Sequence, residues 1–97
     1  MIVPTVRTVL APAEALKLKV IILAKGRPEE AALYWRELGK GEYAAVPLQS
    51  MARGVYEVSC PGANKDLEYY VKVKVENEEV FFPPTAPLIN QTVVRTR

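Results

Sequence analysis

Two pairs of adjacent glutamates come closest to catalytic chemistry in this 97-residue chain. Glu29-Glu30 and Glu78-Glu79 could in principle supply the two carboxylates of a glycosidase, which face each other at about 5 to 9 Å across a cleft. Both pairs fall in predicted loops, and a small sheet protein builds no such cleft between its loops. We therefore interpret these glutamates as solvated charges and predict no catalytic residues.

Few other side chains are reactive. The chain contains no histidine, so the usual general base and the commonest metal ligand are both missing. Cys60 is the only cysteine, which excludes an internal disulfide and a cysteine-based zinc site. Calcium needs a loop rich in oxygen ligands, whereas Asp66 is the only aspartate. The composition predicts a protein that is not an enzyme and holds neither a cofactor nor a metal.

The charges of the chain are mixed along its length. Its 13 lysines and arginines are scattered among 11 acidic residues, so no basic stripe exists to neutralise a run of phosphates. No run of about 18 apolar residues could span a membrane, and no export signal is recognisable. We expect a soluble chain whose partners include neither nucleic acid nor membrane. A composition rich in Glu and Lys and poor in amides also favours a thermostable protein.

The stretch 66–75, DLEYYVKVKV, is the clearest structural signal. Tyr69 and the apolar residues alternate with Tyr70 and the charged residues, which is typical of a strand with one packed and one wet face. Seven or eight such strands are predicted, with Gly, Pro and Asn turns between them. They span residues 6–10, 16–23, 31–38, 43–48, 55–60, 67–75, 80–82 and 92–95.

Regular spacing of short strands predicts an all-β protein with an antiparallel β-sandwich. Residues 1–97 are enough for one such module and no second domain. The proline-rich segment 83–97 is predicted to be an edge segment or the exit to a linker, because proline has no amide donor for a central strand.

Alternation also assigns the aromatic side chains. Trp35, Tyr56 and Tyr69 fall on apolar faces and are predicted core residues. Adjacent Phe81 and Phe82 must point to opposite faces of an extended segment. One of these two phenylalanines should therefore be exposed or covered by a partner.

Trp35 in the third predicted strand, followed by Leu67-x-Tyr69-x-Val71 in the sixth, resembles the fibronectin type III and immunoglobulin-like superfamily. Together with Gly54-Val55-Tyr56, these residues look like a bacterial variant found beside the catalytic domains of secreted carbohydrate-active enzymes. The resemblance implies that Trp35 fills the core and that the Tyr69 hydroxyl donates a hydrogen bond to upstream backbone. It also implies that the third and sixth strands are neighbours. One sandwich hosts many functions, so this pattern indicates fold more than activity.

The outer face of these neighbouring strands carries the candidate binding residues Tyr34, Arg36, Tyr70 and Lys72. A flat pair of tyrosines could stack on the apolar face of a sugar ring, while Arg36 and Lys72 donate hydrogen bonds to its hydroxyls. The same residues could instead form a cross-strand pair that only stabilises the sheet, or a patch that docks on a neighbouring domain.

Three functions follow from these observations. The first is a noncatalytic accessory module of a larger secreted bacterial polysaccharide-degrading enzyme, extracellular or periplasmic, with its catalytic or neighbouring domain as partner. The second is a carbohydrate-binding module that uses the exposed tyrosine pair on a polysaccharide. The third is a protein-interaction or adhesion domain that uses an exposed sheet edge.

Overall fold

The structure of this chain is a computed structural model, which describes residues 3, 9–10, 15–22, 28–39, 41–60, 66–86 and 91–95. Nine β-strands lie in these described ranges. No residue in these ranges is helical, which confirms the prediction of an all-β protein. The strands are β1 (Val9–Leu10), β2 (Leu16–Ile21), β3 (Glu30–Glu37), β4 (Ala44–Pro47), β5 (Gln49–Ala52), β6 (Val55–Cys60), β7 (Leu67–Val75), β8 (Glu78–Phe82) and β9 (Gln91–Arg95).

The strands lie in two sheets. The larger sheet has the order β1-β9-β7-β3-β4, with β8 also paired to β7, and the smaller has the order β2-β6-β5. All pairs are antiparallel except β1 with β9, which is parallel. Buried residues from both sheets belong to one core, an arrangement consistent with a β-sandwich.

Alternation along β7 explains how it joins this core. Leu67, Tyr69, Val71 and Val73 are at most 2% exposed, while the residues between them are half-buried on the opposite face. β2 alternates in the same way with its leucines and Val20 inward and its lysines exposed. Each fully buried Leu or Val side chain contributes about 1.5–3 kcal/mol of transfer free energy.

The predicted strands differ from the structure in two main respects. β5 was predicted as loop, and it brings the described strands to nine instead of seven or eight. Its four residues are all exposed, so they show no alternation, and backbone pairing with β6 alone makes them a strand. Residues 20–23 are an uninterrupted apolar run, which predicts a central strand, but within the described residues β2 pairs only with β6. The first predicted strand is described only at residues 9–10; residues 6–8 lie outside the described ranges.

The C-terminal segment 83–97 is partly strand. Two strands pair with the same edge of β7: β8 pairs with residues 71–75 of β7, and β9 pairs with residues 67–69. Pro83 and Pro84 follow β8 and end its pairing with β7. β9 pairs with β1 on its other side, so it lies inside the sheet and not at an edge. Val93 of β9 is fully buried, and the burial of this apolar side chain favours the return of the segment to the sheet.

The predicted core aromatics differ in depth. Tyr69 is fully buried, whereas Trp35 and Tyr56 are half-buried and pack against the core from its margin. Trp35 lies near the end of β3, where its side chain lines an open recess of about 360 Å³ beside the β3–β4 hairpin. The Tyr69 hydroxyl has no hydrogen-bond partner in the described part of the chain, so the bond to upstream backbone implied by the resemblance is not found there. Phe82 packs against the core and Phe81 lies on the other face, as predicted.

Candidate functional site

Tyr34 and Tyr70 meet on the outer face of the larger sheet. They lie directly opposite each other in the β3–β7 register, and their rings stack with centroids 4.9 Å apart and planes 13° apart. The sequence prediction that these two tyrosines are neighbours is therefore confirmed. The rings face each other, however, and do not lie side by side in one plane. Each ring covers one face of the other, which differs from the flat sugar-binding platform expected from the sequence.

Two further aromatic rings surround Tyr70. Tyr43 contacts it edge to face, with centroids 5.1 Å apart and planes at 68°, and Phe81 is tilted against it at 6.2 Å. Such edge-to-face contacts match the quadrupoles of the rings and add about 0.5–1.5 kcal/mol beyond burial. We call Tyr34, Tyr43, Tyr70 and Phe81 the tyrosine cluster. Neither Tyr43 nor Phe81 could be placed beside Tyr70 from the sequence, because their positions depend on the β3–β4 hairpin and on the pairing of β8 with β7.

Glu68 closes one end of the tyrosine cluster. Its carboxylate accepts hydrogen bonds from Arg36 Nε at 3.0 Å, from the Gly39 amide at 3.2 Å and from the Tyr43 hydroxyl. Arg36 also donates from Nη1 to the Gly41 carbonyl at 3.0 Å, and its guanidinium lies 4.5 Å from the centroid of the Tyr43 ring. Glu68 thus ties the β3–β4 hairpin to β7. The predicted ligand donor Arg36 is already engaged, and sequence reasoning missed its partner.

The opposite end of the cluster is held by Lys72 and two glutamates. Lys72 Nζ lies 3.3 Å from Glu79 and 3.8 Å from Glu30, while the Tyr34 hydroxyl donates to Glu30 at 2.7 Å. That hydrogen bond, followed by burial and the charge of Glu30, raises the pKa of Tyr34 to about 12. Exposed ion pairs of this kind contribute about 0–1 kcal/mol each, so they orient the side chains more than they stabilise the fold.

The glutamate pairs considered for catalysis lie in or directly beside strands of the larger sheet, so the prediction that both fall in loops is wrong. Glu30 lies on β3, while Glu78 and Glu79 begin β8; Glu29 contacts Lys74 across the strands at 3.8 Å. Glu29, Glu30 and Glu79 are thus engaged in ion pairs with Lys72 or Lys74. Solvated side chains in such pairs help to fix the register of adjacent strands.

Metal-binding and membrane-spanning features were also searched for in the described ranges. No group of three or more His, Cys, Asp or Glu side chains there is placed to hold a metal ion. Nor do those ranges contain a helix long and apolar enough to cross a membrane. A comparison with protein-family models finds no matching family, and no curated protein matches the sequence.

The arrangement offers a preformed contact surface. Four aromatic side chains stand at its centre, and charged side chains held in ion pairs border it at both ends. All four rings are half-buried, so the tyrosine pair is less exposed than the sequence predicted, and the Tyr34 hydroxyl donates its hydrogen bond to Glu30. Such a surface can bury apolar area against a partner while its polar rim stays hydrated.

Proposed function

We propose that this chain is a noncatalytic β-sandwich module that docks on a neighbouring folded domain through the tyrosine cluster. The observation that carries this proposal is an aromatic centre bordered by ion pairs on the outer face of the larger sheet. Protein interfaces share this anatomy: Tyr, Phe and Arg are enriched at their centres, and charged residues form the rim. The resemblance to accessory modules supports a secreted polysaccharide-degrading enzyme as the parent protein and its catalytic domain as the partner.

The rigidity of the cluster favours docking. Tyr34 is held by its stacking on Tyr70 and by its hydrogen bond to Glu30, and Arg36 is held by Glu68. Side chains that are already ordered lose little entropy on association, which would otherwise cost about 0.5–1.5 kcal/mol for each flexible side chain. The network therefore prepares this face for binding.

The test uses the natural full-length protein that carries this chain. Tyr70→Ala should lower the melting temperature of the neighbouring domain, because it removes the ring at the centre of the contact. Met51→Ala is the matched control, since Met51 is 60% exposed on the smaller sheet, away from the cluster. The isolated chain is measured in parallel to separate loss of the module's own stability. A neighbouring domain that melts at the same temperature with both variants would count against docking.

Carbohydrate binding is the second candidate, favoured by two hydrogen-bond donors, Lys72 and the Tyr34 hydroxyl, which both lie against the Glu30 carboxylate. A sugar could lie against the outer face of Tyr34, since its cross-strand neighbour on β4 is the small, exposed Ala45. Calorimetry and affinity electrophoresis against a panel of polysaccharides test this alternative. Retention that Tyr34→Ala abolishes at unchanged melting temperature would support it; no retention on any polysaccharide would exclude it for that panel.

A further inference from the structure

The strand β4 forms one edge of the larger sheet. It pairs with β3 on one side, and no strand of the described ranges pairs with it on the other. Its four residues, Ala-Ala-Val-Pro, carry no charge, and three of them are exposed. The backbone groups of an open strand edge are a ready template for another strand, so such an edge is a place where a second chain can pair.

The other described edges are protected against such pairing. β5 has a bulge between Ser50 and Ala52, β8 begins with two adjacent glutamates, and β2 carries two exposed lysines. β1, at the far end of the larger sheet, is only two residues long. Bulges, charges and short length are the usual devices that prevent edge-to-edge association. The pairing of β4 shows no register shift and its residues are uncharged, which makes it the most open of the described edges.

The hydrogen bonds of β4 show which backbone groups face its open side. Just after the strand, the Leu48 amide donates to the Ala31 carbonyl of β3 at 3.1 Å. Hydrogen-bonded pairs alternate along an antiparallel ladder, so every second residue counted back from Leu48 also bonds to β3. The remaining residues of β4, Ala45 and Pro47, therefore direct their backbone groups away from β3.

We propose that two copies of this chain associate through β4, with the strands antiparallel and Ala45 of each copy opposite Ala45 of the other. Ala45 offers both an amide donor and a carbonyl acceptor on the open side, whereas Pro47 has no amide hydrogen. Within β4, only a second Ala45 can both accept from and donate to the first. This reciprocal pair of hydrogen bonds fixes the register. The association goes beyond the docking proposed for the tyrosine cluster.

The side chains along this edge suit a second copy of the same chain. A two-fold interface is self-complementary, so a charge at its centre would meet the same charge of the other copy. In the proposed register the two Ala45 methyl groups meet at the axis. Glu42, the nearest charge before β4, lies three positions from Ala45, so its two copies are separated by six strand positions, or about 20 Å. That separation exceeds the screening length of about 8 Å at physiological salt.

The first test uses the unmodified chain at increasing concentration. Sedimentation equilibrium should show a monomer and a dimer with a dissociation constant below about 1 mM, as expected for a small interface. Hydrogen exchange should slow at least about twofold at the Ala45 amide between dilute chain and about 1 mM chain. The Val46 amide is the internal control, because it already bonds to β3 in the single chain and should exchange at a rate independent of concentration.

Charge variants then test the register. Ala45→Lys and Ala45→Glu should each weaken association at least about fivefold, because like charges would lie directly opposite each other. An equimolar mixture of the two variants should associate at least as tightly as the parent chain, since opposite charges then meet at the axis. Ala52→Lys is the matched control: it adds the same charge at an exposed alanine on β5 and should leave association unchanged.

Four results would each overturn the proposal: a chain that stays monomeric at about 1 mM, concentration-independent exchange at Ala45, a mixture that associates no better than either variant alone, or equal weakening by Ala45→Lys and Ala52→Lys. The exchange measurement needs no substitution, so the test does not depend on the folding of any variant. All of these measurements use the chain without its neighbouring domain, so they can fail independently of the docking proposal.

Discussion

Replacing Tyr69 with phenylalanine removes a single buried oxygen atom and tests whether the Tyr69 hydroxyl lacks a hydrogen bond in the core. Tyr69 is fully buried between the sheets, and its hydroxyl lacks a hydrogen-bond partner among the residues that the structure describes. Burying an unpartnered hydroxyl costs about 1–3 kcal/mol relative to leaving it in water. Tyr69→Phe removes that cost and opens only a very small void. We expect the variant to be more stable by about 1 kcal/mol, equivalent to roughly 4–8 °C in melting temperature for a domain of this size.

The pH dependence provides a second measure of the same group. Burial raises the pKa of Tyr69 from 10.0 to about 12. Between these values the folded chain keeps a proton that the unfolded chain has lost, so stability falls as pH rises. At about 1.4 kcal/mol per pKa unit, the titration of Tyr69 lowers the free energy of unfolding of the parent chain by about 2–3 kcal/mol across this pH window. Tyr69→Phe lacks this loss, and its stability advantage over the parent chain should therefore widen from pH 10 to pH 12.

Urea denaturation followed by circular dichroism measures both effects. Tyr56→Phe is the control, because Tyr56 is a half-buried tyrosine and its replacement should change the free energy of unfolding by less than about 0.5 kcal/mol. A loss of about 1 kcal/mol or more in Tyr69→Phe would show that the hydroxyl is hydrogen-bonded in solution and that our account of this site is wrong. Parallel pH profiles of the parent and the variant would likewise refute the assigned burial.

Three further predictions concern the outer face of the larger sheet. Glu68→Ala should lower the free energy of unfolding by about 2–3 kcal/mol and speed amide hydrogen exchange at Gly39, because three hydrogen-bond donors lose their acceptor. Unchanged exchange at Gly39 would show that Glu68 does not hold the β3–β4 hairpin. A double-mutant cycle of Tyr34→Ala and Tyr70→Ala should give a coupling of about 0.5–1.5 kcal/mol, whereas strict additivity would deny the stacking. Glu30→Ala should lower the pKa of Tyr34 from about 12 towards 10 in an ultraviolet titration. An unchanged pKa would mean that burial, and not the hydrogen bond to Glu30, raises the pKa of Tyr34.

The sequence predicts the parts of this fold that alternation encodes. Residues 66–75 and β2 alternate strictly, and both are strands with the expected inner faces. β5 escapes prediction because its exposed residues form a strand only through pairing with β6. A pattern along one strand also cannot show how completely the end of a sheet is covered, which is why Trp35 is less buried than expected.

The candidate site follows the same division. Tyr34 and Tyr70 could be placed on one face by alternation and brought together by the strand order that the resemblance implies. The partners Glu68 and Glu30 could not be assigned in advance, because side-chain contacts across strands depend on register. A shift of one residue would have placed each of them on the opposite face. The register of the strands therefore decides which charged side chains form ion pairs or hydrogen bonds across neighbouring strands.

The shared edge of β7 has a consequence for synthesis on the ribosome. When the chain has emerged only as far as Val75, β7 can pair with β3, but neither strand that completes its other edge has yet been made. β8 covers the later half of β7 first, and the earlier half waits for β9, which begins at Gln91, 16 positions after the end of β7 at Val75. The central strand of the larger sheet is thus completed only when β9 has been made. We expect nascent chains that end before Gln91 to expose this edge to chaperones or to pairing with other strands.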